Sequence, residues 1–237
     1  MTTVQAVANR MLRQTACLVL LAAMAQSTFA AEPLYHWSFD AAHSQAGLFT
    51  PTVGDLPAHT SVASQFRPAT GALQLDGKAQ WCVVGETATS VVRPGDLPSS
   101  RFAISAWVYV DRLSDWDSIA SAIQDNGDFE RGWMLGIHNQ TFCFGLVSEK
   151  TKRLTYLDSS EVLEPGNWYH VAASYDGTLM QLFVDGRLLA RSDAQSGPIL
   201  YPPQTHFTVG AFHDDNELHP FKGALASLSI YDTPTKA

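Results

Sequence analysis

Short apolar runs separated by Pro, Gly, Asp, Asn and Ser recur along this chain, and none keeps a 3.6-residue period for long. The pattern predicts strands, not helices. The predicted segments are 34–39, 72–75, 81–85, 102–110, 118–123, 132–138, 142–147, 169–175, 180–184, 205–211 and 224–231. Pro51, Pro57, Pro68, Pro94, Pro98, Pro165, Pro198, Pro202 and Pro203 all fall between them, as suits a residue that cannot donate to a ladder. Fold class is therefore all-β.

From Trp168 to Ser192, two apolar runs are broken by Tyr175-Asp176-Gly177-Thr178 and then by Asp185-Gly186-Arg187. Asp-Gly supplies the positive-φ positions of tight hairpins, so three consecutive antiparallel strands are predicted here. The run from Phe102 to Val110 is apolar on both alternating faces, with Phe102, Ile104, Ala106 and Val108 on one side and Trp107 and Tyr109 on the other. Such a strand is central to its sheet. Its two aromatics either pack structurally or face a ligand groove.

The N-terminus has a different character. Arg10 and Arg13 precede the apolar run 16–25, and Thr28-Phe29-Ala30 forms a small-residue cleavage pattern, so residues 1–30 read as a secretory signal peptide. That predicts an exported protein, periplasmic or extracellular, with one domain over 31–237. No later run reaches the roughly 20 apolar residues of a membrane span. Removing Arg10 and Arg13 takes two positive charges and no acid from the net charge of −8, leaving −10. An acidic chain without a basic run argues against nucleic acid and anionic membrane as partners.

Cys82 and Cys143 remain after cleavage, each inside an apolar run. Export permits a disulfide, but two separate buried thiols fit the sequence better. There is no CxxC pair and no HExxH, and His36, His138 and His170 lie in strand-like runs, so zinc chemistry has no support. Asn139-Gln140-Thr141 matches a glycosylation sequon.

Several segments, taken in order, resemble laminin-G-like domains of the concanavalin A-like lectin/glucanase superfamily, in particular their bacterial, pentraxin-related branch. They are HWSFD (36–40), LQLDG (73–77), FAISAWVYV (102–110), GWMLGI (132–137), the paired hairpins of 168–192 and FKGALASLSIYD (221–232). The resemblance covers nearly all of 31–237 and implies a two-sheet antiparallel jelly-roll sandwich. It also implies a structural calcium site, built from Asp40 and an acidic residue in the closing strand. Here Ala226 stands where that acid is expected, so this site is half dismantled. Glycoside hydrolases of the superfamily carry Glu-x-Asp-x-Glu or Glu-x-Asp-x-x-Glu on one strand, and neither spacing occurs in this chain.

Three stretches read as loops with chemistry to offer. In 112–117, Trp116 stands among Asp115 and Asp117, an arrangement suited to stacking on a sugar ring, or to a lid on the sandwich edge. In 213–220, Asp214, Asp215, Asn216 and Glu217 can ligate calcium, accept hydrogen bonds from sugar hydroxyls, or simply be solvated. In 124–131, Asp125, Asp128 and Glu130 surround Gly127 without EF-hand spacing, and Arg131 can neutralise them locally.

The reading is an exported, non-catalytic module that binds carbohydrate or a glycosylated surface through its rim loops, with Trp116, Asp117, Asp214, Asn216 and Glu217 as ligand-binding residues. Any calcium would use Asp214, Asp215 and Glu217, or Asp125 and Asp128. Two alternatives stand beside it: a glycan hydrolase or lyase with an atypical site, and a protein-interaction domain without a sugar site.

Overall fold

The computed structural model describes residues 32–233, so the signal peptide predicted at 1–30 lies outside the described residues. The chain opens with β1 (Tyr35–Ser38), a 3-10 turn at Ala41–His43, and the short strands β2 (Ser44–Gln45), β3 (Leu48–Phe49), β4 (Ala58–Thr60), β5 (Leu73–Asp76) and β6 (Cys82–Val84). Four longer strands follow: β7 (Phe102–Val110), β8 (Trp116–Asn126), β9 (Phe129–His138) and β10 (Thr141–Leu146). Then come β11 (Thr155–Asp158), β12 (Asn167–Tyr175), β13 (Met180–Val184) and β14 (Arg187–Ser192). The chain ends with β15 (Phe207–Val209), β16 (Ala211–His213), β17 (Leu218–Pro220) and β18 (Lys222–Tyr231).

These strands form two sheets, which pack as a sandwich. One runs β1-β18-β7-β12-β13-β14, with β5 also paired to β18. The other runs β11-β10-β9-β8-β15-β6-β4-β3-β2, with the β16–β17 hairpin attached beside β8. Pairing among these named strands is antiparallel except for the parallel bridge from Pro220 to Ser118. The predicted double hairpin is present as β12–β13–β14, and Asp185 (φ 50°) and Gly186 (φ 77°) make the positive-φ turn that joins its last two strands.

Alternation decides which face of each strand is buried. From β7, Phe102, Ile104, Ala106, Val108 and Val110 point into the core, where they meet Trp133, Leu135 and Ile137 of β9 and Phe142, Phe144 and Leu146 of β10. The ring centroids of Phe102 and Trp133 lie 4.8 Å apart, and those of Trp133 and Phe207 5.6 Å apart. The Trp133 indole N–H, buried with them, donates to the Tyr201 hydroxyl at 3.0 Å, so no polar group is stranded there.

Three stretches predicted as loops are partly strand. β8 begins at Trp116, not after Asp117, because Trp116 pairs directly with His138. The polar stretch 124–131 continues the β8–β9 ladder through Asp125↔Glu130 and Asn126↔Phe129, leaving only Gly127 and Asp128 as the turn. Its residues read as a loop because a ladder that projects past the core needs no apolar face. In 213–220 the acids occupy the turn of the β16–β17 hairpin, and Pro220 is tolerated at the end of β17. The strands β2, β3, β4, β11 and β17 were not predicted, each being four residues or fewer.

Candidate functional site

The outward face of the larger sheet carries the chain's second apolar cluster. On β9, Trp133, Leu135 and Ile137 point inward, which sends Met134, Gly136 and His138 outward; on β10, Cys143 and Gly145 take the same outward face. Ile123, Met134 and Phe212 are buried there together, with Leu154 and Tyr156 packed against them. Above this floor opens a cleft of about 170 Å³, lined by Trp116, Asp117, Asp125, Tyr156, Phe212, Glu217 and His219.

Tyr156 reaches the cleft from β11, across β10 and β9. Its cross-strand partner is Gly145, and a Cβ there would sit 3.1 Å from Tyr156 Cε1 and 2.9 Å from Met134 Cγ. Glycine at 145 therefore lets the tyrosine ring lie down on the sheet. The ring meets Trp116 edge-on at 5.0 Å, while His138 lies 4.3 Å from Trp116 with the planes 30° apart. Trp116 is held on two sides and still 38% exposed, so its free surface is a fixed apolar platform.

Carboxylates surround this platform. Asp125 Oδ2 accepts from the Tyr156 hydroxyl at 2.9 Å. Burial raises the Asp125 pKa; the tyrosine opposes that, while Glu130, Asp214 and Glu217 add to it. Asp117 is 3% exposed, and burial lifts its pKa to about 6 even though Ser114, Arg112 and His219 all favour the charged form. Glu217 is exposed, and its Oε2 lies 3.2 Å from His219 Nε2.

Of the residues picked out in the sequence, Trp116, Asp117 and Glu217 line the cleft together, joined by Asp125, whose sequence context suggested only calcium. Asp214 supports it from behind, while Asn216 stands exposed on the β16–β17 turn, outside the lining. Asp214 Oδ1 accepts from the Asn216 and Glu217 backbone N–H groups at 3.0 and 2.8 Å, and its Oδ2 accepts from the Asp125 N–H at 3.2 Å. This buried carboxylate thus ties the β16–β17 turn to the end of β8. Tyr156, Phe212, His219 and His138 were not singled out for the site. Trp107 and Tyr109 belong to the other sheet, where Trp107 packs on His170 at 5.2 Å and Tyr109 lies under the Arg67 guanidinium at 3.8 Å.

Calcium fits these acids poorly. Asp40 Oδ1 already accepts from the N–H groups of Ala42 and His43 and lies 2.8 Å from His43 Nδ1. At position 226 only a backbone carbonyl is available, and it accepts from the Phe39 N–H at 2.9 Å. Asp214 spends its oxygens on backbone N–H groups, Asp215 faces the Gln124 amide at 3.3 Å, and Asp128 sits exposed at the hairpin tip. A hard cation would have to break these bonds to gather its six or more oxygens.

His138, Cys143 and Asp158 bring metal-ligand atoms within 4.8 Å of one another on the outward face of β9, β10 and β11. Hydrogen bonds already satisfy this group. The Asn139 amide lies 2.9 Å from His138 Nε2, and with that nitrogen accepting, His138 Nδ1–H donates to Asp158 at 2.9 Å. The Cys143 thiol also faces Asp158, and burial raises its pKa strongly. Cys82 points the other way, into the core, so the two buried cysteines lie on opposite faces of one sheet and are both free.

A family model described as the concanavalin A-like lectin/glucanases superfamily, of laminin-G type, matches residues 84–237. Among curated proteins, mouse pappalysin-1 is 26% identical over 147 residues, which is 57% of this chain and 9% of that protein. The chain thus spans less than a tenth of the length of that relative. Among solved structures, domain 4 of AbnA, a GH43 extracellular arabinanase from Geobacillus stearothermophilus in complex with arabinotriose, superposes with a TM-score of 0.61 at 16% identity, covering 87% of this chain and 95% of that one. The CBM40 of a Ruminococcus gnavus sialidase, bound to alpha2,3 sialyllactose, gives 0.51 at 17% identity, covering 59% and 79%. With its two antiparallel sheets and a match over more than half its length, the chain belongs to the laminin-G-like domains of the concanavalin A-like lectin/glucanases superfamily.

Proposed function

We propose that residues 31–237 act as a single exported carbohydrate-binding module, which holds a glycan in the outer-face cleft without cleaving it. The observation that carries this reading is the Trp116 ring, fixed by His138 and Tyr156 beside the carboxylates of Asp125 and Glu217. A sugar ring offers an apolar face of C–H groups and a rim of hydroxyls. The first suits an indole platform and the second suits carboxylate acceptors. The arabinanase domain and the sialidase module, which are similar in fold, are both described with oligosaccharides bound, and this supports the same class of ligand here. Calcium has no part in the proposal: Asp40 and Asp214 give their oxygens to backbone N–H groups, and the carboxylates left to the cleft fall short of the six or more oxygens that calcium gathers.

A second reading, glycan cleavage, is favoured by one feature: a buried Asp117 with a pKa of about 6, the property of a general acid, in the same cleft. A glycan-array screen of the full chain, followed by a reducing-end assay on every glycan retained, separates the two. Retention without release of reducing ends supports the binding module; release of reducing ends supports the hydrolase.

A further inference from the structure

We propose that the cleft selects uncharged glycans and excludes those bearing sialic or uronic acid, an inference that rests on the carbohydrate reading above. The charge around the ligand space is one-sided. Asp117, Asp125 and Glu217 line it, and Glu130 and Asp214 are near enough to act on Asp125. No Lys or Arg is among the lining residues. Arg112, outside the lining, favours the charged form of Asp117, and the His219 ring lies against Glu217 at 3.2 Å. Arg131, at the far end of the β8–β9 hairpin, is stacked over the Phe129 ring at 4.6 Å.

Recognition of a sugar carboxylate calls for a guanidinium fork, an ammonium or several convergent N–H donors. This cleft offers the opposite. Its carboxylates suit a ligand that donates, as sugar hydroxyls and amines do. A carboxylate brought among them would meet like charges in a site where the low dielectric of Ile123, Met134 and Phe212 weakens screening. Juxtaposed like charges suppress a wrong partner strongly, so an acidic glycan should bind at least about tenfold more weakly than its neutral counterpart.

The test is a printed array of matched pairs, each a neutral oligosaccharide beside its sialylated or uronic-acid-bearing derivative, probed with the full chain and with Glu217→Gln and Asp125→Asn variants. Binding confined to neutral members, with the acidic members gaining relative to them in either variant, is the expected result. Glu217 is exposed, so Glu217→Gln keeps the test decisive even if Asp125→Asn folds poorly. Equal or stronger binding to the acidic members by the unaltered chain overturns the charge selection while leaving the carbohydrate reading intact. Retention of no glycan overturns both.

Discussion

The Tyr156 hydroxyl donates to Asp125 Oδ2 at 2.9 Å, joining edge strand β11 to the far end of β8 across the floor of the cleft. This bond fixes both the tyrosine that backs Trp116 and the carboxylate beside it. Tyr156→Phe removes the donor and leaves a part-buried carboxylate short of a partner. Stability should fall by about 1 to 3 kcal/mol, and the Asp125 pKa should rise further. Denaturant unfolding and carboxyl NMR titration check the two effects. An unchanged midpoint with an unchanged titration would mean the bond is unimportant.

Gly145 permits the same arrangement from below. A methyl at 145 would press on Met134 Cγ and on the edge of the Tyr156 ring. Gly145→Ala should cost about 1 to 3 kcal/mol, as overpacking does, and should displace the tyrosine from Trp116. A change in tryptophan fluorescence together with a lowered unfolding midpoint is the expected outcome.

Asp117 gives a pH dependence of known sign. Its pKa is raised by burial from the usual carboxylate value of 3.8 to about 6. Between those values the folded state binds more protons than the unfolded chain, so this group's contribution to stability falls as pH rises through the window. The loss approaches about 3 kcal/mol above the folded pKa, because each tenfold difference in proton affinity between the two states is worth about 1.4 kcal/mol. Asp117→Asn should therefore be more stable relative to the unaltered chain at neutral pH than at about pH 4. Urea unfolding of both proteins at the two pH values checks it; a stability difference independent of pH would contradict the assignment.

Two absences of reaction follow from burial and from engaged acids. Cys82 and Cys143 are both free, buried and raised in pKa, so neither should react with an alkylating agent in the native state and both should react after unfolding. Chelator should leave the unfolding midpoint unchanged, because Asp40 and Asp214 direct their oxygens to backbone N–H groups. A drop in the midpoint on adding chelator would reveal a structural cation.

The sandwich was legible because its long strands carry their burial in their own alternation. Phe102 to Val110 states its inward face residue by residue, and Asp185-Gly186 states its turn. Trp116 could also be found, as an aromatic isolated among acids. The rest of the cleft could not, since Tyr156, Phe212 and His219 come from short strands distant in sequence and meet Trp116 only through sheet register. Nor does any local signal show that a glycine on β10 clears the path for a tyrosine on β11. Asp214 was visible as an acid, but its hydrogen bond to the Asp125 N–H, which makes it a brace, is a tertiary fact.

The central claim is that an exposed, rigidly held Trp116 anchors a glycan. It is tested most directly by titrating the best-retained neutral glycan into the full chain and into Trp116→Ala by calorimetry, with far-ultraviolet spectra to confirm that both are folded. The account predicts that affinity falls by about 1 to 3 kcal/mol, the usual cost of truncating a binding anchor, while the fold persists. Undiminished affinity in the folded variant would contradict it.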